Sequence, residues 1–125
     1  MILLTDDLRA CLLANGLRRG ADHIPVVKLF NPMGAATWLA TELDRDGDTL
    51  FGLADLGFGC PELGAFSLSE LASLRLPFGL GIERDLLFEA AHPLSVYADA
   101  AHRTGSIMDG IRRLAMADGV PRQSR

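Results

Sequence analysis

The chain has 125 residues, 49% of them hydrophobic and 22% charged, with a formal net charge of −4. This describes one ordinary globular domain that buries roughly two thirds of its unfolded surface, and it excludes an intrinsically disordered chain. The acidic balance argues against a broad nucleic-acid surface, which needs clustered Lys and Arg, and no apolar run approaches the ~18 residues of a membrane span.

Thr5-Asp6-Asp7 ahead of Leu8, Cys11 and Leu12 reads as a helix start, with a capping hydroxyl and then acids at the positive end of the helix dipole. Gly16 ends that helix. The opening MILLTDDLRACLL lacks a basic region and meets Asp6 and Asp7 early, so it does not read as a secretory signal. Cys11 and Cys60 have neither CxxC spacing nor a neighbouring His or Cys to complete a zinc site, which fits free thiols in a cytosolic chain.

PVVKLF (25–30), a tight turn at Asn31-Pro32-Met33-Gly34 and AATWLATEL (35–43) form a predicted hairpin. Asp44-Arg45-Asp46-Gly47-Asp48 is a second turn, TLFGLADL (49–56) a third strand, and GFGCPE (57–62) a loop into the short strand LGAF. The acidic turn, with Asp55 beyond it, has a superficial likeness to a calcium loop. An EF-hand needs Gly where this chain has Thr49 and an exiting helix where it has strand-like residues, so the hairpin turn is the stronger reading. Trp38, Phe30, Phe51 and Phe66 read as core aromatics, since only Lys28 and Arg45 supply positive charge for a base-stacking platform.

Ser67 and Glu70 make an S-x-x-E capping box, with Phe66 and Leu71 as its hydrophobic staple, so a helix begins at Leu68. Pro77 stops it near Arg75. IERDLLFE (82–89) then reads as a strand, with Ile82, Arg84, Leu86 and Phe88 on one face and Glu83, Asp85, Leu87 and Glu89 on the other. After Pro93, residues 94 to 103 form a helix closed by Gly105. Ser106 and Asp109 start a last helix with Ile107, Met108, Ile111, Leu114 and Ala115 on one stripe, ended by Gly119 and Pro121.

The order of elements is that of an α+β protein: an antiparallel meander of about four to five strands flanked by short helices, with a helical C-terminal extension. Residues 1–93 form the expected α+β core, and 94–125 the helical extension with a flexible basic end. The stripe Ile107, Ile111 and Leu114 must bury on its own sheet or on another subunit, which makes it the candidate oligomer interface of a homodimer.

On the alternation above, Arg84 shares a face with large apolar residues, where a charge is costly unless it is paired or reaches out to water. It either pairs with a carboxylate at the sheet margin or binds an anionic ligand, with Glu70, Arg75 and Asp85 as the other residues of a candidate charged site. Capping alone accounts for Glu70. Asp99 and His102, three apart on a helix, read as a solvated pair because no second His or Cys joins them at metal spacing. No nucleophile elbow or phosphate-binding glycine loop is present, and no catalytic residue, metal site or cofactor follows from the residues.

FSLSELASLRLPFGLGIERDLLFE, together with DTLFGLADLG, ELGAFSL and the opening MILLTDDLR, resembles the bacterial family of domain of unknown function 2958, small proteins often carried by plasmids and integrative elements. The resemblance covers residues 1 to about 90, with FSLSEL and IERDLLF its most specific segments, and leaves the helices after about 94 as an extension. It implies a bacterial cytosolic accessory protein and brings no reaction with it.

Two functional expectations follow. The first is a non-enzymatic accessory protein of bacterial mobile DNA that binds a macromolecule, because no nucleophile, base and oxyanion donor cluster in the sequence. The alternative is a small-molecule-binding or hydrolytic site at the sheet margin built from Arg84, Glu70, Arg75 and Asp85. A weaker third idea, nucleic-acid contact through Arg103, Arg112, Arg113, Arg122 and Arg125, runs against the net charge.

Overall fold

Local signals and strand patterning build the elements in the order the sequence implies. The computed structural model describes residues 2–119. Helix α1 (Asp6–Gly16) is followed by strands β1 (Val27–Phe30), β2 (Thr37–Leu43), β3 (Thr49–Asp55) and β4 (Glu62–Ser67), helix α2 (Leu68–Ser73), strand β5 (Glu83–Arg84), and helices α3 (Leu94–Thr104) and α4 (Ile107–Ala117). The protein is α+β, with one five-stranded antiparallel sheet in the order β4-β3-β2-β1-β5. Thr5 Oγ1 caps α1 by accepting from Leu8 N–H, and Ser67 Oγ and Ser106 Oγ do the same for α2 and α4. Arg122 and Arg125, the basic end, lie outside the described residues.

Strand β2 is buried along most of its length, so both faces of the sheet need cover. On the first face, Leu3, Leu4, Leu12, Leu68 and Leu71 pack with Val27, Leu29, Trp38, Leu50 and Ile82. On the second, Leu94, Tyr97, Ala98, Ala101 and Ile107 pack on Leu39 and Leu53, with Phe88, Ile111 and Leu114 against them. Of the apolar stripe of α4, Ile107 is buried in this core, only 1% exposed, and Ile111 and Leu114 pack against it half-buried.

Close backbone approach fixes both helical layers. A Cβ on Gly16 would sit 2.3 Å from the carbonyl oxygen of Leu43, so the end of α1 presses directly on β2. A Cβ on Gly110 would sit 2.9 Å from Ala101 N, which joins α4 to α3 as a tight hairpin.

Strand β5 is much shorter than the sequence implies. The alternation expected over 82–89 stops at Arg84, because the Asp85 carboxylate accepts from Leu87 N–H at 2.9 Å and turns the chain. Leu86 and Leu87 are left exposed, and Phe88 joins the second core, on the face opposite Ile82.

The two layers are tied by Asp55, buried at the end of β3. Its Oδ1 accepts from Gly57 N–H at 2.8 Å, and its Oδ2 accepts from Ile107 N–H, the first residue of α4, at 2.9 Å. One carboxylate thus holds an exposed loop and satisfies a buried helix terminus. Asp55→Ala should destabilise the fold by about 2 to 4 kcal/mol, and Asp55→Asn, which keeps one acceptor, by less, as read from urea unfolding midpoints.

Candidate functional site

The candidate residues at the sheet margin make different contacts, and the neighbours Arg84 and Asp85 fall on opposite faces of the sheet. Arg84 pairs with Leu29 in the register, on the first face, and its Nη1 donates to the carbonyls of Ile2 at 2.9 Å and Leu3 at 2.8 Å. Through these backbone oxygens it ties down the N-terminal segment. The alternation of the sequence puts Asp85 on the acidic face with Glu83 and Glu89, where solvent exposure is expected. Its carboxylate instead meets Lys28 Nζ at 3.2 Å, both side chains only 7% exposed, because Lys28 and its neighbour Asp85 lie on the second face of the sheet.

Glu70 is exposed on α2, and only half of its capping box forms. Ser67 Oγ accepts from Glu70 N–H, but the remaining first-turn donors go to Asp48, whose carboxylate accepts from Ser69 N–H at 2.7 Å and Ser67 Oγ–H at 2.7 Å. Arg75 is exposed and donates to Ser73 O. Asp99 pairs with Arg103 and His102 Nε2 donates to Pro61 O, so the two do not face each other.

The acidic turn is a structural network. Asp46 accepts from Asp48 N–H, Thr49 N–H and Thr49 Oγ1–H, and Asp44 from Arg45 N–H and Arg19. Among the described residues, no three His, Cys, Asp or Glu side chains are placed to hold a metal ion.

A groove of about 510 Å³ opens on the second face of the sheet, beyond the start of α3. Its floor follows from the register. Leu39, Leu53 and Leu63 form one cross-strand row, of which Leu39 and Leu53 lie under the helical hairpin. One step along, the row Glu42, Phe51 and Ala65 is past the end of that cover. Phe51 is therefore 38% exposed and Leu63 48%, which corrects the reading of Phe51 as core; Phe30 and Trp38 are buried, and Phe66 packs on the first core.

The groove's walls are set by the end of α1. A bulge between Ala40 and Glu42 turns out the Thr41 carbonyl, which accepts from Asn15 Nδ2 at 2.9 Å, and Thr41 Oγ1 donates to Phe51 O. From Gly16 the chain runs on through Arg19, Asp22 and His23, which form one wall. The other wall is Leu94 and Ser95. The two walls are joined: Asp22 accepts from Ser95 N–H at 3.0 Å and from Ser95 Oγ–H, and His23 O accepts from Leu94 N–H at 2.9 Å.

Helix α3 has Pro93 at its N-cap, with no side-chain cap of its own, so the distant Asp22 takes that role. A helix opening on Pro without a nearby hydroxyl or carboxylate is the signal that could have pointed to such a group. The Ser95 hydroxyl, then its N–H, hold the Asp22 carboxyl below the usual carboxylate range. Arg19 is spent on Asp44 at 2.6 Å, and His23 Nε2 on Arg18 O at 3.0 Å. Glu42, half-buried on the floor, bonds to no other described side chain.

One further surface feature stands out. Phe78, in the turn Pro77–Gly79, is 90% exposed and sits at φ 63°, a left-handed conformation that is strained for an aromatic residue.

The chain belongs to the family described as Protein of unknown function (DUF2958), whose model matches residues 3–108. The match runs past residue 93, through α3 and into the start of α4. No curated protein and no solved structure matches the chain. No helix among the described residues is long and apolar enough to cross a membrane.

The buried pair and the acidic turn each give an expected outcome. Lys28→Met alone should cost about 3 to 5 kcal/mol by stranding Asp85, whereas Lys28→Met with Asp85→Asn, which removes the stranded charge and keeps an acceptor for Leu87 N–H, should cost clearly less in a double-mutant cycle. Asp22, Asp46 and Asp48 are all held below their ordinary value of 3.8, by Ser95, by Thr49 and by Ser67 in turn. A depressed folded-state pKa gives stability that is present above 3.8 and lost as pH falls through the folded values. Urea midpoints should therefore drop below pH 3.8, and Asp48→Asn should flatten that slope.

Proposed function

We propose that this protein is a non-enzymatic interaction module, a cytosolic accessory protein of bacterial mobile DNA that binds a protein partner through the open groove on its sheet. The carrying observation is the row Glu42, Phe51 and Ala65, which continues a buried core row but is left uncovered at the end of the helical hairpin. Exposed apolar surface of this kind, rimmed by polar groups, marks an interaction site. The rim groups Asp22, His23, Arg19 and Asp44 are held in hydrogen bonds that build the walls, which suits recognition better than proton transfer. The mobile-DNA and cytosolic parts of the reading rest on the family resemblance of the FSLSEL and IERDLLF segments.

A second reading, small-molecule binding, is favoured by the groove's size, about 510 Å³, which lies within the range of ligand sites.

A photo-crosslinking amino acid at position 51, introduced in a bacterial host, separates these. A discrete protein adduct at 51 that is absent with the crosslinker at exposed Phe58 supports the interaction reading, and an adduct of twice the chain's mass would make the partner a second copy. Identical adducts from both positions, or none from 51, would contradict it.

A further inference from the structure

We infer that the groove takes a basic, apolar peptide segment of its partner, with a large apolar side chain on Phe51, Leu63 and Ala65 and an adjacent Lys or Arg reaching Glu42. This rests on the interaction reading above and adds the chemistry of the partner.

Charge decides the class. The groove is lined by the carboxylates of Asp22, Glu42 and Asp44 against the single guanidinium of Arg19, and Arg19 is already held by Asp44. Asp22 is occupied at the head of α3. Glu42 is the carboxylate still available, and the register puts it directly beside Phe51 on the same face. A cation there meets a half-buried carboxylate next to an aromatic ring, two favourable contacts for Lys or Arg. Phosphate would be repelled by the same carboxylates, so a nucleic acid does not fit. The chain's net charge of −4 steers a basic partner in the same direction.

Shape decides between a peptide and a compact ligand. The groove's floor ends on β4, the edge strand of the sheet, where Leu63 and Ala65 are both exposed. A segment can run out over this edge and cover Leu63 on β4 together with Phe51.

The test is to pan a displayed random-peptide library on the immobilised full chain, with counter-selection on Glu42→Lys, and then titrate a selected peptide into isotope-labelled protein by NMR. Enriched sequences should join Lys or Arg to Leu, Phe, Ile, Met or Trp, and the amides of Thr41, Glu42, Phe51 and Ala65 should shift. Glu42→Lys should weaken binding by about tenfold or more, and Glu42→Gln by less. Leu63→Lys, an edge-strand change that leaves the core intact, should also weaken it. Enriched peptides without a basic residue, shifts that map to the Phe78 turn (Pro77–Gly79), or a library with no binder would overturn the inference and leave the interaction reading to its crosslinking test. A peptide that binds as described while position 51 captures nothing in cells would instead contradict the interaction reading and keep the groove's chemistry.

Discussion

The carboxylate of Asp55 is the interaction on which the arrangement of this molecule depends. The sheet is buried on both faces, and its second face is covered by the α3–α4 hairpin, which follows the whole meander in sequence, with Phe88 beside it. Apolar burial brings that hairpin onto Leu39 and Leu53 but does not fix where along the strands it lies. Asp55, accepting from the first N–H of α4 and from the β3–β4 loop, sets that position. Asp22 holds the other helix, at the head of α3. The buried start of α4 must find its partner in Asp55, and Asp22 adds an exposed bond at the start of α3, so the two carboxylates specify a register where packing alone would tolerate several.

The open groove is a consequence of that register. With the hairpin pinned at the Asp55 end of β3, its cover ends before the row Glu42, Phe51 and Ala65. The bulge at Thr41 and the close approach of Gly16 to Leu43 then bring the chain after α1 alongside, closing one wall. The contacts that stabilise the fold therefore also shape the surface proposed to bind. Most of the charged side chains around it are committed to holding it in place.

Much of this was legible locally. Thr5, Ser67 and Ser106 announce their helices because a cap acts within three residues of its own position. The turns at 31–34 and 44–48 follow from Pro, Gly and Asp chemistry, and the alternation of the strands gives the α+β class. What could not be read were bonds that span the fold. Asp55 reaches Ile107, and Asp22 reaches Ser95, across distances in sequence that no local rule covers. The strand expected over 82–89 ends early because Asp85 combines a turn-forming bond with a buried partner, Lys28, supplied by β1. Phe51 has the same pattern as its buried neighbours and differs only in lying beyond the end of the helical cover.

Two charged residues separate the structural account from the functional one. Arg84, conspicuous in sequence, is engaged with the carbonyls of the N-terminal segment, whereas Glu42, inconspicuous in sequence, faces the groove. The most direct measurement is thermal unfolding of Arg84→Ala and Glu42→Lys side by side, with partner retention scored on whatever remains folded. The account predicts that Arg84→Ala lowers the melting temperature by several degrees yet keeps the partner, while Glu42→Lys melts near wild type and loses it. A wild-type melting temperature for Arg84→Ala with loss of the partner, and an unchanged partner for Glu42→Lys, would contradict it and move the binding site to the sheet margin.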